Sequence, residues 1–303
     1  MSTDAPIRST EIRSSAESAA AIERSVPARS VPVLSMPTIL SPTWRWPAFV
    51  GCQAVALLLT LSFVWSPMRA GWDAVDASIF RLLNGSLALG GSSAMGHTWQ
   101  QFWAYANWRP LDVLPAVLLM LVFIVSIRRD ERSKQLALWT YLLLVGLCLI
   151  AVKPMAIFVV HDMLGYFRAS PTLTLDAPLR LSALVPSIAA KDASPYCFPS
   201  DHAFVLLTVM SLFWFLGRRS AAIAATIIAI VFTLPRMVSG AHWATDTLVG
   251  GAVMTLVAVG WLFATPLHYH VARLCYPVVR RLDRVLPPWN GAGRGTWRLV
   301  NRK

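Results

Sequence analysis

The sequence is poor in charged residues: Asp, Glu, Lys and Arg make up only 14% of its 303 residues, while 56% are hydrophobic. This composition is too apolar for an ordinary soluble domain and is typical of a protein that crosses a membrane several times. Acidic residues are scarcest, since 27 Lys and Arg stand against 15 Asp and Glu. The net charge of +12 does not predict nucleic-acid binding, because the basic residues fall between apolar runs and no aromatic–basic stripe accompanies them.

Closely spaced cysteines are missing as well. The four cysteines, Cys52, Cys148, Cys197 and Cys275, lie in separate segments without the spacing of a zinc site or a disulfide framework. Cys197 borders a polar motif, and we interpret it as a small buried apolar residue rather than a catalytic thiol.

The first 43 residues contain no sustained apolar run and are rich in Ser, Ala, Pro and Arg. We expect residues 1–43 to be a disordered tail. They do not resemble a secretory signal, because no apolar core precedes a small-residue cleavage site.

Long apolar runs are present in the rest of the chain. Six segments approach the ~20 residues that cross a bilayer: 46–65, 110–127, 135–158, 203–217, 220–238 and 244–265. The second and fourth are short. The pattern predicts an all-α membrane protein, with a six-helix bundle over residues 44–268 and a basic tail over 269–303.

The basic residues predict the orientation of this bundle. They concentrate in the 128–134 loop, at Arg218 and Arg219, and in the C-terminal tail. With six spans, all of these stretches and both termini lie on one side, which the positive-inside tendency makes cytoplasmic. The outer face then carries segments 66–109, 159–202 and 239–243.

Two connecting segments have open interpretations. Residues 71–109 hold four tryptophans and an apolar pattern, typical of a helix in the outer membrane interface. Residues 269–286 mix apolar and basic residues, as a helix on the anionic inner leaflet would. In both cases the alternative is a connecting helix packed on the bundle.

One polar group falls at the start of the sixth span. His242 and Asp246 are four residues apart, so they share a helix face, where the carboxylate can fix the imidazole tautomer for nucleophilic attack. The alternative is a buried pair in which the two side chains only satisfy each other's hydrogen bonding. Arg236 ends the fifth span, and Ser239-Gly240 permits a reversal that turns Arg236 and His242 toward one pocket. The guanidinium of Arg236 suits phosphate oxygens. An arginine that only snorkels to the membrane interface is equally compatible with this position.

A second polar group, Pro199-Ser200-Asp201-His202, precedes the fourth span. Proline and a capping Ser or Asp are typical of a helix start, whose free amides bind phosphate. His202 in that first turn can act as a general acid. Lys153, in the last part of the third span, needs a partner, which a phosphate or the membrane interface could supply.

These residues resemble the type 2 phosphatidic acid phosphatase (PAP2) superfamily. The family pattern is a lysine followed by Arg-Pro, then Pro-Ser-Gly-His, then Ser-Arg with a later His and Asp. The resemblance implies that His242 is a nucleophile forming phosphohistidine, that Asp246 orients it, and that His202 protonates the leaving group. It also implies phosphate binding by Lys153, Ser200, Arg236 and Arg168, without metal or cofactor.

The sequence departs from the family pattern at several positions. Pro235 replaces the serine before Arg236, and Asp201 stands where glycine is common, as in some undecaprenyl-diphosphate phosphatases of the family. In the first motif the expected arginine position holds Val160. Arg168 is the nearest basic candidate, and Arg180 or Lys191 could take its place. Asp201 is expected to bond Lys153 or a backbone amide, or to tune the choice of substrate.

The resulting hypothesis is a lipid phosphatase or diphosphatase of a bacterial inner membrane, acting at the periplasmic face, with undecaprenyl diphosphate as the preferred substrate. One alternative is a phosphotransferase that passes the phosphoryl group to a lipid or sugar acceptor, as with lipid A. Another is a non-catalytic binding or transport protein. A metal hydrolase is not favoured, because the spacing of His161, Asp162, His202 and His242 matches no metal motif.

Overall fold

The apolar runs of the sequence form helices. The computed structural model describes residues 42–285, which are helical apart from turns, loops and one isolated bridge, and contain no strand. The predicted all-α class is confirmed. The helices are α1 Trp46–Val64, α2 Ser66–Gly85, α3 Ala94–Ala106, α4 Val113–Ile127, α5 Arg132–Ile157, α6 Pro171–Thr174, α7 Leu181–Leu184, α8 Asp201–Phe215, α9 Arg219–Val238, α10 Ala252–Ala264 and α11 Leu267–Val285.

Short turns of other helical types extend some of these helices. A 3₁₀ turn, Arg109–Asp112, precedes α4. A π-helical turn, Phe158–Met163, follows α5, and another, Asp246–Gly251, precedes α10. Single π-helical turns often occur at functional sites, and the second of these carries Asp246.

Five helical stretches are long and apolar enough to cross a membrane, so the chain is a multi-pass membrane protein. They are Trp46–Val64, Arg109–Ile127, Arg132–Met163, Arg219–Val238 and Asp246–Ala264. Each matches a predicted span to within a few residues. The span predicted at 203–217 is α8, an apolar helix of 15 residues, about 22 Å long against a ~30 Å hydrocarbon core. Six spans with both termini in the cytoplasm remain a prediction.

Helix α8 packs between its neighbours α9, α10 and α5. Leu206 and Phe213 of α8 join a core cluster with Phe123 of α4. The alanines of α9 in this cluster, such as Ala222 and Ala225, allow the helices to approach closely. This packing fixes the first turn of α8, which carries His202.

The two connecting segments are helices packed on the bundle. Residues 71–109 form two helices rather than one, and both α2 and α3 contact α9. Helix α11 packs on α5, and its first residue is Leu267, so the domain boundary predicted at 268/269 falls within this helix. Of the predicted N-terminal tail, residues 1–41 lie outside the described residues.

The turn between α9 and α10 brings Arg236 and His242 close, as predicted. The Arg236 carbonyl accepts hydrogen bonds from the backbone N–H groups of Ala241 at 3.0 Å and His242 at 3.1 Å. Gly240 has φ +74°, and a Cβ there would lie 2.5 Å from Thr172 and 2.6 Å from Phe80. Only glycine fits this reversal without displacing its neighbours.

Candidate active site

His242 and Asp246 form a buried pair at the entry to α10. Nδ1 of His242 lies 3.3 Å from Oδ2 of Asp246, and the side chains are 5% and 0% exposed. His242 lies in the turn before the helix rather than on the predicted helix face. The Trp243 backbone N–H donates to the same carboxylate oxygen at 2.9 Å, so Asp246 also caps the first turn. Because a carboxylate accepts, Nδ1 donates the proton and Nε2 keeps a free lone pair.

A second buried carboxylate supports this pair from behind. Asp76 of α2 is 1% exposed and accepts hydrogen bonds from the Thr245 N–H at 2.9 Å and from Nη2 of Arg168 at 2.7 Å. Nη1 of Arg168 donates to Oδ1 of Asp246 at 3.1 Å. Arg168 therefore bridges two buried carboxylates that need a positive partner. This differs from the expectation that Arg168 contacts the phosphate, since its guanidinium is held behind the His242–Asp246 pair.

The Pro199-Ser200-Asp201-His202 motif starts α8, as predicted. Oγ of Ser200 accepts from the Ala203 N–H at 3.3 Å, and the Ser200 N–H donates to the Asp246 carbonyl at 3.1 Å. These bonds join the two polar motifs at the amino end of α8, where free amides and the helix dipole attract phosphate. Ser200 is 2% exposed and acts as the helix cap, and phosphate binding by its hydroxyl stays a prediction.

The tautomer of His202 follows from its hydrogen bond. Nε2 of His202 lies 3.1 Å from the Phe232 carbonyl oxygen of α9. A carbonyl can only accept, so Nε2 carries a proton and Nδ1 remains available to exchange one with a ligand. This arrangement suits a general acid and base.

His202 and His242 line one cavity of about 460 Å³. Its polar end also includes Asp112, Lys191, Asp201 and Arg236. The rest of the lining is apolar and comes from α4, α5 and α8. Along α4 it runs from Pro115 to Phe123, a rise of about 12 Å. The cavity therefore combines a charged end with an apolar wall that suits a hydrocarbon chain.

Arg236 reaches the polar end of the cavity from α9. It is 5% exposed, and its Nη2 donates to the Asp112 carboxylate. Its Nη1 also points at the Asn107 carbonyl at 3.5 Å. Arg236 lines the cavity with these contacts in place, and phosphate binding by its guanidinium stays a prediction.

Lys153 and Asp201 form an ion pair beside the cavity. Nζ of Lys153 lies 2.6 Å from Oδ2 of Asp201, and the side chains are 46% and 43% exposed. This confirms the expectation that Asp201 bonds Lys153. Asp201 lines the cavity, whereas Lys153 approaches Asp201 from α5. A phosphate would compete with Asp201 for this ammonium group.

Other candidate groups have structural contacts. The Cys197 thiol is fully buried and donates to the Arg168 carbonyl at 3.2 Å. Burial raises the pKa of this thiol, so it stays protonated and unreactive, as interpreted from the sequence. Nε2 of His161 lies 3.0 Å from the Phe198 carbonyl oxygen, to which it donates a hydrogen bond. Within residues 42–285, no three His, Cys, Asp or Glu side chains gather as metal ligands would.

Two acidic residues of the site were missed by the sequence reasoning. Asp76 supports Arg168, and Asp112 holds Arg236. The available signal was an acidic residue within or beside an apolar stretch, which needs a partner. Lys191, considered only as a substitute for Arg168, also reaches the cavity.

The chain is similar to known proteins in three respects. A family model described as the PAP2 superfamily matches residues 163–270. The chain is 32% identical over 225 residues to the lipid A 1-diphosphate synthase of Escherichia coli (strain K12), covering 73% of this chain and 89% of the relative. It is also similar to the transmembrane PAP2-type phosphatidylglycerolphosphate phosphatase from Bacillus subtilis, with TM-score 0.40 and 13% identity over 80% of this chain and 98% of that one.

Proposed function

Because this chain belongs to the PAP2 superfamily, we propose that it transfers phosphoryl groups between membrane lipids, with His242 as the nucleophile. The observation that carries the proposal is the buried His242–Asp246 pair at the charged end of a cavity with an otherwise apolar lining. A lipid can place its phosphate at the charged end and its hydrocarbon chain along the apolar wall.

In the first half-reaction, Nε2 of His242 attacks the terminal phosphorus of a lipid diphosphate. The P–O bond to the leaving lipid phosphate breaks, and His202, which enters the step protonated on both ring nitrogens, gives its Nδ1 proton to the leaving oxygen. Arg236 and the amides at the start of α8 stabilise the charge on the transferring oxygens. Asp246 stabilises the positive charge that develops on His242.

In the second half-reaction, an acceptor oxygen attacks the phosphorus of phosphohistidine. The P–N bond breaks, its electron pair returns to Nε2 of His242, and Nδ1 of His202 takes the proton of the acceptor. With a lipid phosphate as acceptor the product is a lipid diphosphate. With water it is inorganic phosphate, and the protein acts as a phosphatase.

Two observations support a lipid acceptor over water. The relative with 32% identity is named a lipid A 1-diphosphate synthase, whose product is a lipid diphosphate. His242 is only 5% exposed, and the apolar cavity wall limits the access of water to a phosphohistidine. We therefore favour the phosphotransferase alternative and propose a lipid phosphate of the lipid A type as acceptor.

The donor and the location are part of the same proposal. A polyprenyl diphosphate such as undecaprenyl diphosphate is the proposed donor, on the strength of the Pro-Ser-Asp-His variant at residues 199–202. We propose that the site faces the periplasm from a bacterial inner membrane, because the positive-inside tendency favours basic loops on the cytoplasmic side.

Product analysis tests this function. The purified protein is incubated in detergent with a polyprenyl diphosphate labelled at its terminal phosphate, with and without a lipid A-type phosphate acceptor. We expect the label in a lipid diphosphate when the acceptor is present. Release of all label as inorganic phosphate, whether or not the acceptor is present, would establish a hydrolase instead.

Asp76 provides a prediction about positioning. Replacing Asp76 by Asn removes one of the two buried carboxylates that hold Arg168, so Arg168 and Asp246 lose their fixed orientation. We expect kcat to fall by about 10- to 100-fold, as for other residues that orient a reacting group at one remove. KM should stay near the wild-type value, because Asp76 does not line the cavity.

The matched control is Asp176→Asn, since Asp176 is an exposed carboxylate of the same outer face. It should leave both constants unchanged. If the Asp76→Asn protein changed KM alone, or neither constant, the positioning role would be refuted.

A further inference from the structure

The long loop before α8 carries Lys191 to the polar end of the cavity. The Lys191 backbone N–H donates to the Asn107 carbonyl at 3.0 Å, and Ala190 forms an antiparallel bridge with Trp108. These contacts tie the loop to the 3₁₀ turn Arg109–Asp112 that precedes α4. The ammonium group of Lys191 is therefore held on a tethered segment.

Lys191 differs in its charge partners from Arg236, Lys153 and Arg168. Arg236 is paired with Asp112, Lys153 with Asp201, and Arg168 with two buried carboxylates. Lys191 is half-buried and lines the cavity, yet it forms no ion pair with any residue in 42–285.

The charges that act on Lys191 are two guanidinium groups and two carboxylates, so its own ammonium group is the charge left unmatched. Burial lowers the pKa of Lys191, and the charges of Arg236 and Arg109 lower it further, while Asp201 and Asp112 partly oppose them. A half-buried ammonium without a matching negative charge is costly unless an anion joins it.

We propose that Lys191 forms a second phosphate-binding site next to the one at His242 and Arg236. The proposal rests on the proposed function, because a transfer between lipid phosphates brings two phosphate groups into the cavity together. The group bound at Lys191 is either the non-transferred phosphate of the donor diphosphate or the phosphate of the acceptor. This lysine then supplies the positive charge that the altered first motif lacks at Val160.

Steady-state kinetics with Lys191→Met and Lys191→Arg test the site. For Lys191→Met we expect KM to rise by about 10- to 100-fold, the loss of a charge-assisted hydrogen bond. A rise for the donor assigns the site to the donor diphosphate, and a rise for the acceptor assigns it to the acceptor phosphate. Lys191→Arg should keep KM near wild type.

The pH dependence separates lost charge from lost packing. The charged and titratable groups around Lys191 are Arg109, Asp112, Asp201, His202, Arg236 and His242. The lowered pKa means that Lys191 loses its charge at a lower pH than an ordinary lysine. The KM of the wild type should therefore rise at alkaline pH. This rise should be absent in Lys191→Arg, whose guanidinium stays charged.

The matched control is Lys134→Met, which removes a lysine in the first turn of α5 that pairs with Asp130 and does not line the cavity. Binding of inorganic diphosphate to His242→Ala protein, with and without Lys191→Met, gives a readout that needs no turnover. Weaker binding in the double variant supports the site even if transfer itself is not found. Unchanged diphosphate binding, with donor and acceptor KM equal to those of Lys134→Met, would overturn it.

Discussion

Replacing His242 by alanine should reduce both transfer and hydrolysis by about 10⁴-fold or more, as removal of a catalytic nucleophile or base does in other hydrolases. The structure assigns no second nucleophile to the polar end of the cavity among residues 42–285, since the Cys197 thiol is buried behind Arg168 and protonated. The measurement is the initial rate of phosphate transfer and release in detergent, alongside a thermal melt.

The control for this experiment is His97→Ala, which removes an exposed histidine of α3 outside the cavity. It should leave turnover unchanged. A His242→Ala protein that melts like wild type and turns over at the wild-type rate would remove the basis of the proposed mechanism.

Replacing His202 by asparagine should lower kcat for a lipid diphosphate by about 10²- to 10⁴-fold, the usual contribution of general acid–base catalysis. Asparagine keeps an N–H that can donate to the Phe232 carbonyl but cannot transfer a proton. An aryl phosphate with a good leaving group needs no acid in the first half-reaction. With that substrate, the variant should form phosphohistidine quickly and break it down slowly.

A pre-steady-state burst of released phenol, equal to the amount of enzyme, measures this accumulation. The wild type should show a smaller burst, because its second half-reaction is faster. Equal losses with both substrates and no burst in the variant would mean that His202 has no role in proton transfer.

The sequence predicted the helices well because bilayer thickness fixes their length. The runs at 46–65 and 220–238 end within a residue or so of α1 and α9, since polar residues bound each run. Helix α8 is the exception. It measures only 15 residues, because Ser200 caps its start and Gly217, with φ +66°, ends it.

The predicted site residues lie together in the structure where local sequence determines their positions. The Gly240 turn aims Arg236 and His242 at one cavity, and the capping motif at Ser200 starts α8 beside them. Both features depend on residues a few positions apart. They can therefore be recognised without knowledge of the tertiary packing.

The supporting contacts could not be predicted, because they join distant segments. Asp76 and Arg168 are separated by 92 positions, and Asp112 and Arg236 by 124. The position of Arg168 could not be predicted for the same reason. The sequence pattern predicts it at the phosphate, whereas in the structure it bridges the carboxylates behind His242. The path of the 164–200 loop, which places Lys191, likewise depends on its bridge to Trp108.

Locating the phosphate on the trapped enzyme decides whether His242 is the nucleophile. The His202→Asn protein is mixed with the aryl phosphate, quenched in alkali to preserve phosphohistidine, digested and mapped by mass spectrometry. We expect one phosphoryl group per chain, on His242, and none in the His202→Asn/His242→Ala protein. A phosphoryl group on any other residue, or a burst of phenol with no phosphorylated peptide, would contradict this expectation.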